Sequence, residues 1–125
     1  MKILIAVVIA TFTSFAFSQK VLLEGIDANF YVEMNTPTKE RNISTVWVLA
    51  DYKKVNEFKD LSHRKLTQFN CQTKQFRFIQ SIYYQGHNGN GKVTATSQEA
   101  TNWQFISPNS IIEGTFLEAC KENKK

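Results

Sequence analysis

Asp60, Ser62 and His63 stand almost side by side, and their types are those of a hydrolytic triad. Such chemistry needs the three side chains to converge in space beside an oxyanion hole. No Gly-x-Ser-x-Gly elbow occurs anywhere in the chain. His63 and His87 are the only histidines, and neither has a second histidine or a carboxylate at metal-ligand spacing. Gly86 to Gly91 is rich in glycine but lacks the phosphate-cradling order and the Lys-Ser/Thr that grips a nucleotide. These residues therefore predict a non-enzyme with no catalytic residue, no metal and no cofactor. A cryptic hydrolase is the disfavoured alternative, and it would need a deep polar cleft around a perturbed His63.

Cys71 and Cys120 are the only cysteines. Their meaning depends on the compartment. Met1-Lys2 forms a short basic start, residues 3–10 an apolar run, and Ala16-Phe17-Ser18 a small-residue cleavage pattern. We read residues 1–18 as a signal peptide cut before Gln19. The apolar run is short for a membrane span and is interrupted by Thr11, Thr13 and Ser14. No cysteine lies near the cleavage point, so no lipid anchor is evident. An even cysteine pair in an exported chain is most simply a disulfide. A metal site would want closer ligands, and a catalytic thiolate would be at risk in an oxidising compartment. The bridge would close a separation of 49 positions.

Of 125 residues, removal of the leader leaves 107, residues 19–125, enough for one small domain. The net charge of +4 falls to +3 with the loss of Lys2. This is a mildly basic, mixed surface, without the Lys/Arg run that nucleic acid would want. The expected product is not membrane-spanning and lies in the periplasm or outside the cell.

Several elements must position these residues. Asn29–Met34 reads as a first strand ended by Pro37, which has no N–H to pair. Ile43–Asp51 is the clearest strand, β-branched and apolar on both faces, hence interior. Residues 52–60 read as a polar loop. Residues 62–71 and 75–84 read as two further strands, the second with Phe76, Phe78, Ile82 and Tyr84 on one face. Lys92–Thr96 and Asn102–Ile106 are short strand candidates. Short turns between such strands favour an antiparallel meander. At the C-terminus the period changes. A helix can start at Ser107-Pro108 or at the capping box Ser110 to Glu113. Ile112, Phe116 and Cys120 then form one row facing the sheet, and Gly114 marks a close approach.

The ordered set Val46-Trp47-Val48, Asn70-Cys71 with Arg77 six residues on, Tyr83-Tyr84, Gly91, Trp103, Pro108-Asn109-Ser110 and Ala119-Cys120 resembles the surface-adhesin protein E family of Gram-negative bacteria. The resemblance implies an α+β fold. An antiparallel sheet of about five to six strands would carry a C-terminal helix on one face, tethered by the Cys71–Cys120 disulfide. It also implies attachment to host extracellular matrix or other extracellular or envelope proteins. This chain departs from the named adhesin type in having no lipid-bearing cysteine, and in having Asn70 where an acidic residue usually precedes the cysteine.

Lys53, Lys54, Lys59, His63, Arg64 and Lys65 form a basic neighbourhood, which is the candidate partner-binding surface. Arg77 shares strand parity with Cys71, so it is expected to cap the helix C-terminus or, alternatively, to contact a ligand. Trp47 and Trp103 are expected as structural residues of the core or helix packing. Exposed edges, the first strand or Val93–Thr96, are where a homodimer would form. The competing functional reading is a periplasmic structural or stress accessory protein with no host ligand.

Overall fold

β-branched and aromatic residues between 43 and 52 build the central strand, and its neighbours fold back on it in sequence order. A computed structural model describes residues 20–121. The expected leader and the tail from residue 122 lie outside these residues. The strands are β1 (Lys20–Glu24), β2 (Ala28–Glu40), β3 (Ile43–Tyr52), β4 (Ser62–Asn70), β5 (Gln75–Tyr84), β6 (Val93–Ser97) and β7 (Gln104–Phe105). All pairings are antiparallel in the order β1 to β6, with β7 also pairing β5. One helix, α1 (Ile111–Ala119), follows. The sheet thus has seven strands, against the five to six expected: the candidate at Asn102–Ile106 pairs over Gln104–Phe105, and the segment Lys20–Glu24 adds a further strand.

Two register shifts correct the sequence reading. β2 does not stop at Pro37. Its pairing to β3 passes from Glu33↔Trp47 to Thr38↔Thr45, five steps on one strand against two on the other. The bulge absorbs the residues around the proline, and pairing resumes. On β5 the partners go from Leu66↔Gln80 to Thr67↔Phe78, which leaves Ile79 as an extra residue. One extra residue flips the parity of everything beyond it. Phe76 and Phe78 therefore face the helix, whereas Ile82 pairs with Arg64 and Tyr84 with Ser62 on the outer face.

The core lies between α1 and the sheet. Val32, Val46, Val48, Phe69, Phe116 and Ala119 are buried there, with Leu23, Phe30, Phe76, Ile106 and Ile112 packed around them. The Phe69 and Phe116 rings meet edge to face, 6.0 Å between centroids. Of the two helix starts, the structure uses the second. Ser110 accepts from the Glu113 amide, and the Glu113 carboxylate accepts from the Asn109 amide. Cys120 is bonded to Cys71, with Cα atoms 5.7 Å apart. At Gly114 a Cβ would come within 3.3 Å of Leu23 on β1, which is the close approach that explains the glycine.

Candidate functional site

Beneath the first turn of α1 the sheet and helix leave a half-open cavity of about 270 Å³. It is lined by Phe30, Val48, His63, Lys65, Thr67, Phe78, Ile111, Ile112 and Thr115. Strand alternation brings His63, Lys65 and Thr67 together on this face, in line with buried Phe69. The Lys65 ammonium lies over the rings of Phe78, at 4.5 Å, and Tyr83, at 5.7 Å. His63 is held between Tyr52 and Tyr83, with its Nδ1 hydrogen-bonded to the Tyr52 hydroxyl. Burial, aided by the neighbouring Lys65 charge and opposed by Asp60, pushes His63 down to about 4. Burial likewise raises Tyr52 to about 12, reinforced by Tyr83 and Asp60. At neutral pH the pair is therefore a neutral phenol hydrogen-bonded to a neutral imidazole.

Asp60 acts on His63 electrostatically, but Ser62 and His63 point to opposite faces of the sheet. Asp60 accepts from the Thr94 hydroxyl at 2.6 Å. Ser62 Oγ donates to the Gly86 carbonyl and accepts from the Gly89 amide, on the face opposite His63. Among the described residues no group of three or more His, Cys, Asp or Glu could hold a metal ion, and no helix is long and apolar enough to cross a membrane.

The six basic candidates separate into three places. His63 and Lys65 face the cavity. Arg64, between them on β4, points to the outer face. There it binds Glu33 through two hydrogen bonds, 2.8 and 3.2 Å, and lies 4.5 Å over the Trp47 ring. Burial alone would lower the guanidinium, but its bonds to Glu33 and Tyr84 outweigh that and raise it. Lys53, Lys54 and Lys59 stay together on the exposed β3–β4 loop. That loop also displays Val55 and Phe58, 55% and 72% exposed, and Lys53 and Lys54 border Ile26, 90% exposed. Asn56 fixes the loop: its side-chain oxygen accepts from the Phe58 and Asp60 amides. The Lys53 ammonium donates to the Gly25 carbonyl.

Arg77 does not cap the helix. Cys71 has already left β4 for the following turn, so its strand parity says nothing of Arg77, which pairs with Gln68 on the outer face. Arg77 donates to the Gln68 side chain at 2.8 Å and lies 4.6 Å over Trp103. Gln68 in turn donates to Thr45. Trp47 and Trp103 are thus half-buried outer-face residues, each covered by an arginine, rather than core or helix-packing residues. The helix C-terminus is met by Ser44, whose hydroxyl donates to the Ala119 carbonyl.

Sequence reasoning missed the cavity. Its signal was present in the alternation His63, Lys65, Thr67, a polar stripe on the face that Val46, Val48 and Phe69 make apolar.

The surface-adhesin protein E family model matches residues 20–121. No curated protein matches the sequence. Among solved structures, Haemophilus influenzae protein E in its second crystal form aligns with a TM-score of 0.63 and 14% identity, covering 73% of this chain and 79% of that one. Another H. influenzae protein E structure gives 0.60 and 14%, covering 79% and 80%. Protein E from a non-typeable strain gives 0.58 and 14%, covering 82% and 84%. At such identity the solved structures speak to the fold. The family model spans the whole described domain, and the chain belongs to the surface-adhesin protein E family.

Proposed function

We propose that this protein is a small exported, non-enzymatic module that attaches to an extracellular protein through its Lys53–Lys59 loop. Family membership supports an adhesin-like role and an exported or surface location. The observation that carries the reading is the loop itself. It holds two exposed apolar side chains, Val55 and Phe58, among three lysines on a turn fixed by Asn56. A fixed apolar anchor loses little entropy on binding, and the surrounding cations steer it to an acidic patch. The placement of Ser62 and His63 on opposite faces of β4 supports the absence of catalysis. A homodimer through the exposed β6 edge would present two such loops.

The test is binding of the folded protein to an immobilised panel of extracellular-matrix proteins. We expect saturable binding that weakens with salt and falls about tenfold or more in the triple variant Lys53→Glu, Lys54→Glu, Phe58→Ser. No specific binding to any member, or equal binding by the variant, would overturn it. The periplasmic accessory reading would then take its place.

A further inference from the structure

We propose that the cavity under the first turn of α1 is a binding site for a medium-chain alkyl monocarboxylate, with the chain inside and the carboxylate at Lys65. It is separate from the exposed loop and does not depend on the attachment reading.

The size sets the class of ligand. An apolar cavity of about 150 Å³ holds benzene, whereas drug-sized ligands occupy about 300 Å³ or more. At about 270 Å³ this cavity falls between them and suits a flexible chain of several carbons. Its walls are Phe30, Val48, Phe78, Ile111 and Ile112, so the body of the ligand must be apolar.

The polar groups set the charge. The Thr67 hydroxyl already donates to the Lys65 carbonyl and the Thr115 hydroxyl to the Ile111 carbonyl. His63 Nδ1 is taken by Tyr52. The Glu113 amide in the first helical turn is taken by its Ser110 cap. No Asp or Glu lines the cavity. Lys65 is different: it is half-buried, rests on two aromatic rings, and makes no ion pair among the described residues. A partly desolvated ammonium without a carboxylate, beside an apolar hollow, complements an anion whose remainder is apolar. With His63 neutral, Lys65 is the single charge of the lining, and a cationic ligand would be repelled.

The test is titration of the isotope-labelled protein with octanoate, followed by amide and methyl NMR, against octanamide and octylamine. We expect saturable shifts at millimolar concentrations, confined to the cavity around Phe30, Thr67, Phe78 and Ile112. Octanamide should bind about tenfold more weakly, and octylamine not at all. Lys65→Gln should cost octanoate about tenfold and leave octanamide unchanged. Should that variant lose its fold, Ile111→Trp, which fills the mouth from a half-exposed position, should abolish binding while the remaining spectrum is kept. Shifts that do not saturate, that map to the lysine loop instead, or that are equal for the acid and the amide would overturn the proposal.

Discussion

Ser44 Oγ donates a 2.7 Å hydrogen bond to the carbonyl oxygen of Ala119, 75 positions away and in the last turn of α1. The last carbonyls of a helix have no partner within it. Here a serine that is 1% exposed on the central strand reaches across and satisfies one of them. Replacing Ser44 with Ala leaves that carbonyl buried and unpaired. We expect a loss of about 1–3 kcal/mol in urea unfolding with an unchanged slope. A Ser44→Ala protein as stable as the parent would remove this contact from the forces that seat the helix.

One residue beyond Ala119, the Cys71–Cys120 bond fastens the same helix end to the turn after β4. Closing a separation of 49 positions contributes about 4 kcal/mol in the chain-entropy model. The double variant Cys71→Ser, Cys120→Ser should lose stability by that order, with the sheet spectrum largely kept. Thermal and chemical unfolding of the two proteins checks it. An unchanged midpoint would show that helix packing alone holds the end in place.

His63 predicts a pH dependence of stability. Its folded value of about 4 lies below the ordinary 6.5, so between the two the unfolded chain binds the extra proton. Stability should therefore fall as the pH drops from about 6.5 toward 4, by up to about 3 kcal/mol. The groups around it, Tyr52, Asp60, Lys65 and Tyr83, all act on the same imidazole. His63→Gln should flatten the profile over that range, and an NMR titration of the ring should give its midpoint near 4. A midpoint at the ordinary value would contradict the burial that the structure shows.

Arg64 holds the outer face by geometry as much as by charge. It meets Glu33 with two nitrogens while its guanidinium carbon lies 4.5 Å from the centre of the Trp47 ring. A lysine keeps the charge but neither the fork nor the broad planar cation over the ring. Arg64→Lys should thus cost about 1 kcal/mol or more, read by chemical unfolding, and should change the Trp47 fluorescence. A neutral effect on both would reduce the pair to an ordinary surface contact.

The strands around β3 were legible because β-branched and aromatic residues alternate there with clear turns between, and the row Ile112, Phe116, Cys120 marked the helix face. The bulges were not. Nothing in the local composition marks Ile79 as an extra residue, yet it decides which of Phe78 and Ile82 reaches the core. Pro37 looked like a strand end because a proline cannot pair, and only the geometry of its partner strand shows that β2 resumes. The parity of Cys71 points Arg77 toward the helix, but Cys71 sits in a turn where parity no longer applies, and Arg77 pairs with Gln68 on the outer face. Of the basic cluster, proximity in sequence held only for Lys53, Lys54 and Lys59, because they share a loop. On β4 alternation sends Arg64 away from His63 and Lys65. The cavity depends on contacts among β2, β3, β4, β5 and α1, which no local pattern contains.

The attachment reading needs the Lys53–Lys59 loop to meet partners outside the cell. The most direct test is localisation of the mature protein, with cell-surface, medium and periplasmic fractions assayed from intact cells and the loop lysines probed with a membrane-impermeant amine reagent. We expect the protein on the surface or in the medium, with Lys53, Lys54 and Lys59 labelled without opening the outer membrane. Strict retention in the periplasm, with labelling only after that membrane is breached, would contradict attachment.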